Sequence, residues 1–403
     1  MIDFSKIQCT GCSACASSCN RDVIVMGKDD AGFPIPLVAN PEKCVECGIC
    51  ESVCPSFNPK IEKKNSEEIA IIAQIKDENI RKESASGGMF SAIALTVLKK
   101  GGIVYGAAYD ESFKVCHIGI EKSEDLWRLR NSKYVQSDMG YVFREVKKHL
   151  QSGRLVCFSG TPCQAEGLNS YLRKPYDNLI LVDITCHGVG SPLIWDKYLE
   201  FVKKFNPARI YFRWKHYGYK YSTMSFFNQN KEEIYFGGVE TDPMLRAYFT
   251  NSCDRKSCYE CKFKKRYRIT DFTLWDCFQP RFFNKEFDDD KGTSSVLVNT
   301  SKGRKIFQDI VDTDFIRYQE FSPSDLVHGN RELVQSVKES SIRDSFLKDA
   351  KTTDPIELFE KYFPQTKKVI VKRFLRKILL KTGLYSLIKY EIYKCRRNRC
   401  KKG

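Results

Sequence analysis

Long apolar runs are absent from this chain. The longest uncharged stretch, Ser84 to Leu98, is shorter than the roughly 20 residues a bilayer crossing needs, and it contains two glycines, so no transmembrane helix is expected. No leader-like apolar segment follows a basic start, and no internal repeat appears beyond a duplicated cysteine run near the N-terminus. Basic charge is also missing from most of the chain. The formal net charge is +16, but Thr366 to Gly403 holds 14 Lys or Arg against the single Glu391, leaving 52 basic and 49 acidic residues elsewhere. With no basic face and no recognisable binding motif outside the tail, a nucleic-acid partner is not expected.

What the chain has in quantity is cysteine, 18 residues in all. Cys9, Cys12, Cys15 and Cys19 are echoed by Cys44, Cys47, Cys50 and Cys54, each run reading C-x2-C-x2-C-x3-C. Three thiolates two residues apart wrap one corner of a cubane, while the fourth faces a second cluster. Crossed ligation follows. Cys9, Cys12, Cys15 and Cys54 are expected to hold one 4Fe-4S cluster, and Cys44, Cys47, Cys50 and Cys19 the other. Zinc or disulfides fit two identical four-membered runs poorly. Pro55 follows the second run, whereas Asn20 stands in the corresponding place after the first, a change in the turn rather than the ligands. From the oxygen-sensitive ligation and the lack of a leader-like stretch, a cytoplasmic location is expected.

At 403 residues the chain is too long for a ferredoxin alone. An α+β two-cluster module over residues 1–58 and a polar linker over 59–68 are expected to precede a larger α/β domain over 69–340. There, strands at Ile69–Ile75, Ile103–Tyr109, Leu155–Phe158 and Leu179–Asp183 alternate with helices, so ligands belong at the strands' carboxyl ends. Short aromatic strands between Ala208 and Phe236 read as an antiparallel insertion within a mixed sheet. A helical extension over 341–365 and a basic amphipathic tail over 366–403 complete the chain.

Several loops carry candidate chemistry. Ser86-Gly87-Gly88 opens a helix after a strand, and glycines there let backbone N–H groups approach a phosphate. Gly160-Thr161-Pro162-Cys163-Gln164 sits at a strand's carboxyl end, where the competing reading is a helix cap with a small buried cysteine. Cys186 and His187 are neighbours on an extended segment, so their side chains point apart and a cysteine-protease dyad is disfavoured. Cys253, Cys258 and Cys261 form a third thiolate group without a local fourth ligand. Cys277 and Cys186 are both available, and a loop zinc competes with a third 4Fe-4S cluster. In the tail, Val371, Phe374, Leu375, Ile378, Tyr385, Ile388 and Ile392 recur at helical spacing among basic residues. That pattern suits an interfacial helix on anionic lipid at the inner face of the membrane, or a helix packed on its own domain.

Taken in order, SGG at Ser86, SKYVQS at Ser132, SGTPCQ at Ser159, DITCHG at Asp183 and SCYECKF at Ser257 resemble the beta-subunit family of coenzyme F420 hydrogenases and dehydrogenases, over about residues 1 to 340. The resemblance implies FAD bound by the α/β domain, a 4Fe-4S cluster close to it, and hydride exchange with a 5-deazaflavin coenzyme or a substitute. It makes the SGG and SGTPCQ loops FAD contacts, with Lys133 and Tyr134 near the same cofactor. The family commonly has a Gly-Asp-Phe-like sequence where this chain has Trp275-Asp276-Cys277-Phe278, so Cys186 is preferred to Cys277 as fourth ligand beside Cys253, Cys258 and Cys261. Similar proteins often stand beside genes for cell-surface polysaccharide synthesis. The function implied is an iron-sulfur flavoprotein oxidoreductase exchanging electrons with a ferredoxin or partner enzyme. A non-catalytic electron-transfer subunit docked at the membrane is the alternative.

Overall fold

The computed structural model describes residues 2–65 and 67–400, with side chains as far as Cys395, so the tail's last three residues and the Cys400 side chain lie outside the described residues. The N-terminal module pairs two short helices, α1 (Ala14–Ser18) and α2 (Ile49–Ser52), with an antiparallel hairpin of β1 (Ile24–Lys28) and β2 (Pro34–Val38). Each helix follows a left-handed residue, Ser13 or Gly48, that turns the cysteine loop into the helix.

The body is built on an eight-stranded sheet. β3 (Ile69–Ile75) is followed by α3 (Glu78–Glu83) and α4 (Met89–Lys99), then β4 (Ile103–Tyr109), β5 (Val115–Ile120), α5 (Val142–Gln151), β6 (Val156–Gly160), α6 (Pro162–Leu172) and β7 (Leu179–Ile184). α7 (Pro192–Val202) leads to a separate antiparallel sheet of β8 (Arg209–Trp214), β9 (Thr223–Phe227) and β10 (Glu233–Gly237), the expected insertion. α8 (Pro243–Phe249), β11 (Phe272–Asp276), β12 (Ser294–Val298), α9 (Ser301–Asp312) and β13 (Ile316–Phe321) finish the main sheet. Its order is β13-β3-β12-β11-β7-β6-β4-β5. The run β11-β7-β6-β4 is parallel and the flanking pairs are antiparallel. The sheet is therefore mixed, and its carboxyl-end crevice belongs to the parallel centre.

Both faces are covered, which is why β3, β6 and β7 read as continuous apolar runs rather than alternating ones. Ile71, Ala73 and Val296 pack with Ile93 and Val97 of α4 and Ile306 and Ile310 of α9, while Tyr105, Phe158 and Leu181 meet Phe143 of α5 and Leu168 of α6. The edge strands β5 and β13 escape a sequence reading because they are only partly buried, Ile316–Phe321 burying Ile316 and little else. Residues 330–363 are partly helical. α10 (Pro323–Val327) precedes them, and within them only α11 (Arg343–Asp349), α12 (Pro355–Tyr362) and one short turn form, with 335–340 irregular. The tail folds as two helices, α13 (Lys367–Lys381) and α14 (Leu384–Cys400), joined at Thr382-Gly383. No helix among the described residues is long and apolar enough to cross a membrane.

Candidate functional site

A cavity of about 530 Å³ opens at the carboxyl ends of the parallel strands. β6 delivers Ser159, Gly160 and Thr161 to it, β7 delivers Thr185 to Gly188, and β11 delivers Trp275 and Asp276. Ser86 and Gly88 line the opposite side, where α4 begins at Gly88 without a side-chain cap. Gly87 turns away, since a Cβ there would lie 2.4 Å from the Ala73 carbonyl and 2.5 Å from the Ser294 amide, so it serves the close packing of the loop on the sheet. The loop is held from behind by Lys215, whose ammonium donates to the carbonyls of Arg81 (2.5 Å), Ser86 (2.9 Å) and Lys291 (2.7 Å). Burial pushes the Lys215 pKa down to about 7, with Arg81 and Arg213 adding to the effect. Nothing in the local sequence marks Lys215, because its acceptors come from two distant segments, residues 81–86 and Lys291.

Lys133 and Tyr134 also line the cavity. Lys133 donates to the Arg130 carbonyl at 3.0 Å and sits 5.4 Å from the Tyr109 ring, and burial lowers its pKa to about 7. The Tyr134 ring stacks on Tyr248 at 4.3 Å. Thr161 and Gln164 form a capping box at the start of α6, and Gln164 Nε2 reaches on to Ser137 at 2.9 Å. The sequence reading missed His117. It lies flat on Phe158, with Nε2 3.1 Å from the Ser159 carbonyl, while its buried Nδ1 has no hydrogen-bond partner. Burial lowers its pKa to about 4, so the ring is neutral, and donation from Nε2 to the carbonyl leaves Nδ1 as an acceptor at the cavity wall.

Behind the large cavity lies a small one lined by Cys163, Cys186, Cys258 and Cys261. Cys253, expected here, is elsewhere. Its side chain is fully buried in the apolar cluster with Ile194, Trp195 and Met244, beside Gly190. Pro162 and Cys163, expected at the large cavity, line the small one instead. The exchange has a simple cause. β6 and β7 are adjacent and parallel, so the first turn after one and the loop after the other project side by side. Burial raises the Cys163 thiol to about 11 and Cys186 to about 12, and carries Cys258 well above its ordinary range. Arg255 and Lys264 share the lining and supply positive charge. Among the described residues no three His, Cys, Asp or Glu side chains gather around a single metal ion. Cys186 makes no bond with His187, whose Nε2 instead meets Asn251 Oδ1 at 2.8 Å.

A third cavity lies in the N-terminal module, lined by Cys9, Cys12, Cys15 and Cys54. Cys19, Cys44 and Cys50 pack against the same small core, and Cys47 is exposed. The three cavities adjoin. Thr10 lines both the first-quartet cavity and the Cys163–Cys261 cavity, and residues 186–189 line both the latter and the large cavity. Arg255 fastens this junction, donating to the carbonyls of Cys9 (2.8 Å) and Pro34 (3.0 Å) and to Gln136 Oε1 (2.9 Å), while Gln136 Nε2 donates to the Thr10 carbonyl (2.8 Å). Two glycines make the approach possible. Gly11 adopts φ +68°, and a Cβ there would lie within 3 Å of Pro34, Gln136 and Arg255. Gly167 of α6 leaves room for Cys12, whose Sγ would be 2.9 Å from an added Cβ.

The mouth of the large cavity is bordered by the tail, through Arg376, Tyr385 and Lys389. Arg376 pairs with Glu240 and lies 4.8 Å from the Tyr221 ring.

Comparison with known proteins matches three family descriptions. Residues 8–58 match a 4Fe-4S dicluster domain. Residues 70–144 match the N-terminal part and residues 153–324 the C-terminal part of the coenzyme F420 hydrogenase/dehydrogenase beta subunit, together more than half of the chain. An uncharacterized ferredoxin of Methanocaldococcus jannaschii is 34% identical over 61 residues, which is 15% of this chain and 90% of that protein. A chain of the F420-reducing NiFe hydrogenase complex from Methanosarcina barkeri superposes with a TM-score of 0.44 at 16% identity, covering 75% of this chain and 94% of that one. The chain thus belongs to the coenzyme F420 hydrogenase/dehydrogenase beta-subunit family and carries a 4Fe-4S dicluster domain at its N-terminal end.

Proposed function

We propose that this iron-sulfur electron-transfer subunit is a flavoprotein, with FAD in the large cavity and three 4Fe-4S clusters leading away from it. The observation that carries the reading is the series of three adjoining cavities, two lined by four cysteines each and the third large enough for a nucleotide cofactor. FAD, when bound, would interconvert two-electron hydride chemistry and the single electrons that clusters carry.

This chain's residues fit such a group. The uncapped start of α4 offers backbone N–H groups and a positive helix end to a diphosphate. His117 Nδ1 is a buried acceptor awaiting a donor, and Tyr134 with Trp275 supplies aromatic surface. Cys163, Cys186, Cys258 and Cys261 would hold the cluster nearest the flavin, with Arg255 and Lys264 offsetting its negative charge. Cys9, Cys12, Cys15 and Cys54 would hold the next, and Cys44, Cys47, Cys50 and Cys19 the outermost, where a ferredoxin or partner enzyme exchanges electrons. The hydride carrier is coenzyme F420 or a substitute that enters the same cavity, and the tail keeps the protein at an anionic membrane surface.

Cofactor analysis of anaerobically purified protein tests this. About twelve irons with matching sulfide and one flavin per chain is the expected result. Iron without flavin under any reconstitution would sink the flavoprotein assignment and leave an electron-transfer module that docks on another enzyme.

A further inference from the structure

The tail is amphipathic in an unusual sense, because its two faces have different work. On α13, Ile370, Val371, Phe374, Leu375 and Ile378 form one exposed stripe, with Phe374 63% exposed. On α14, Leu384, Leu387, Ile388 and Ile392 form another. Large apolar side chains in such number are not left in water without a partner. The 14 basic residues from Thr366 onward, against one acidic residue, specify that partner as an anionic surface, and neither helix is long and apolar enough to cross a bilayer.

At a 100° step, Arg376 lies on the side of α13 opposite the apolar stripe. It points to the body, where it pairs with half-buried Glu240 and sits between the Tyr221 and Tyr385 rings at 4.8 and 5.6 Å. Tyr385 is itself buried and meets Tyr221 edge-on at 5.9 Å. Arg376, Tyr385 and Lys389 form part of the large cavity's wall. The helices that offer an apolar, basic face outward are therefore also the roof of the proposed cofactor cavity.

We infer that α13 and α14 form a membrane-operated roof: seating on an anionic bilayer draws them from the Glu240–Tyr221 contact and opens the cavity. The acyl region takes the apolar stripes and lipid phosphates pair with the flanking Lys368 and Lys377, which pulls Arg376, on the far side of the helix, away from Glu240. The occupant admitted beside the cofactor then comes from the membrane face. This rests on the large cavity being the reaction site, but its test does not require a bound flavin.

Hydrogen–deuterium exchange of the full-length protein, with and without vesicles, reads the roof directly. With phosphatidylglycerol vesicles, co-sedimentation and faster exchange at Tyr217–Tyr221 and Gly238–Asp242 are expected. Phosphatidylcholine vesicles should produce neither. Each Lys→Gln on α13 should weaken vesicle affinity about fivefold. Phe374→Asp with Ile388→Asp should abolish binding and the exchange response together, while Arg376→Ala should raise exchange at the mouth without vesicles and still bind them. Binding with unchanged or slower exchange at the mouth would overturn the roof. No binding to anionic vesicles, or a concentration-dependent dimer broken by the Asp variants, would assign the apolar face to a second copy and also overturn it. Loss of flavin alone would leave these outcomes unaffected.

Discussion

The two cysteine quartets of the N-terminal module share one spacing but occupy opposite environments. Cys12, Cys15 and Cys54 are buried, and their side of the module is bolted to the body by Arg255, Gln136 and the close contact of Cys12 with Gly167. Cys47 is exposed, and Val45 beside it is 58% exposed. Identical local geometry thus yields one quartet that faces inward and one that faces solvent. What distinguishes them is the surface each meets. Under the proposed function, the inner quartet would pass electrons within the chain and the outer would meet a partner.

The largest effect should come from the end of the inward path. Cys163→Ser should remove one cluster, a loss of about four irons, whereas Cys253→Ser should keep full iron content, both read by iron and sulfide analysis. The reverse outcome would restore Cys253 to the ligand set. Next is the bolt itself. Gly11→Ala places a side chain at positive φ and against three neighbours, so a loss of about 2 kcal/mol or more is expected by thermal unfolding, with slower reduction of the innermost cluster. The corresponding Gly48→Ala, where a Cβ meets nothing within 4 Å, should pay the positive-φ strain alone.

Thiol titration sharpens the same contrast in chelator-treated protein. Burial raises Cys15 to about 12 and drives Cys12 well above its usual 9.0. At Cys19 burial acts in the same direction, but N–H groups of Arg21, Ile24 and Val23 outweigh it and lower the thiol below its usual 9.0. As pH rises toward 9, Cys19 should become thiolate and react with iodoacetamide well before Cys15, which stays protonated, and peptide mapping gives the order. Equal rates would deny the inside–outside distinction. The smallest change in stability, within about 0.5 kcal/mol, should follow Val45→Lys, which should nonetheless alter the salt dependence of electron exchange with a ferredoxin.

The clarity of each site in the sequence follows from how its ligands are assembled. Both quartets of the module sit in short runs, so spacing alone describes them. The third set does not. Cys258 and Cys261 are local to each other, but Cys163 and Cys186 arrive from two other loops, brought together by the parallel pairing of β6 and β7. Cys253 shares the loop's spacing, yet the chain turns it into the apolar core beside Met244. The available signal was positional: SGTPCQ and DITCHG each follow a strand, and neighbouring strand ends are where ligands meet. His117 and Lys215 had no such signal. One lies on an edge strand of mixed character, and the other gathers acceptors from sequence positions up to 134 residues away.

Cys54 lies with the first run although it belongs to the second, and this crossing gives the module the topology of a clasp. With the proposed clusters in place, each half of the module would hold a thiolate of the other's metal. A protease that nicks the turn at Asp29–Gly32 would then yield two fragments tied by metal as well as by the contacts of Arg255 and Gln136 to Cys9 and Thr10. The proposed clusters would then act as a reversible splice, a metal-dependent tie added to a hairpin already joined by its own backbone.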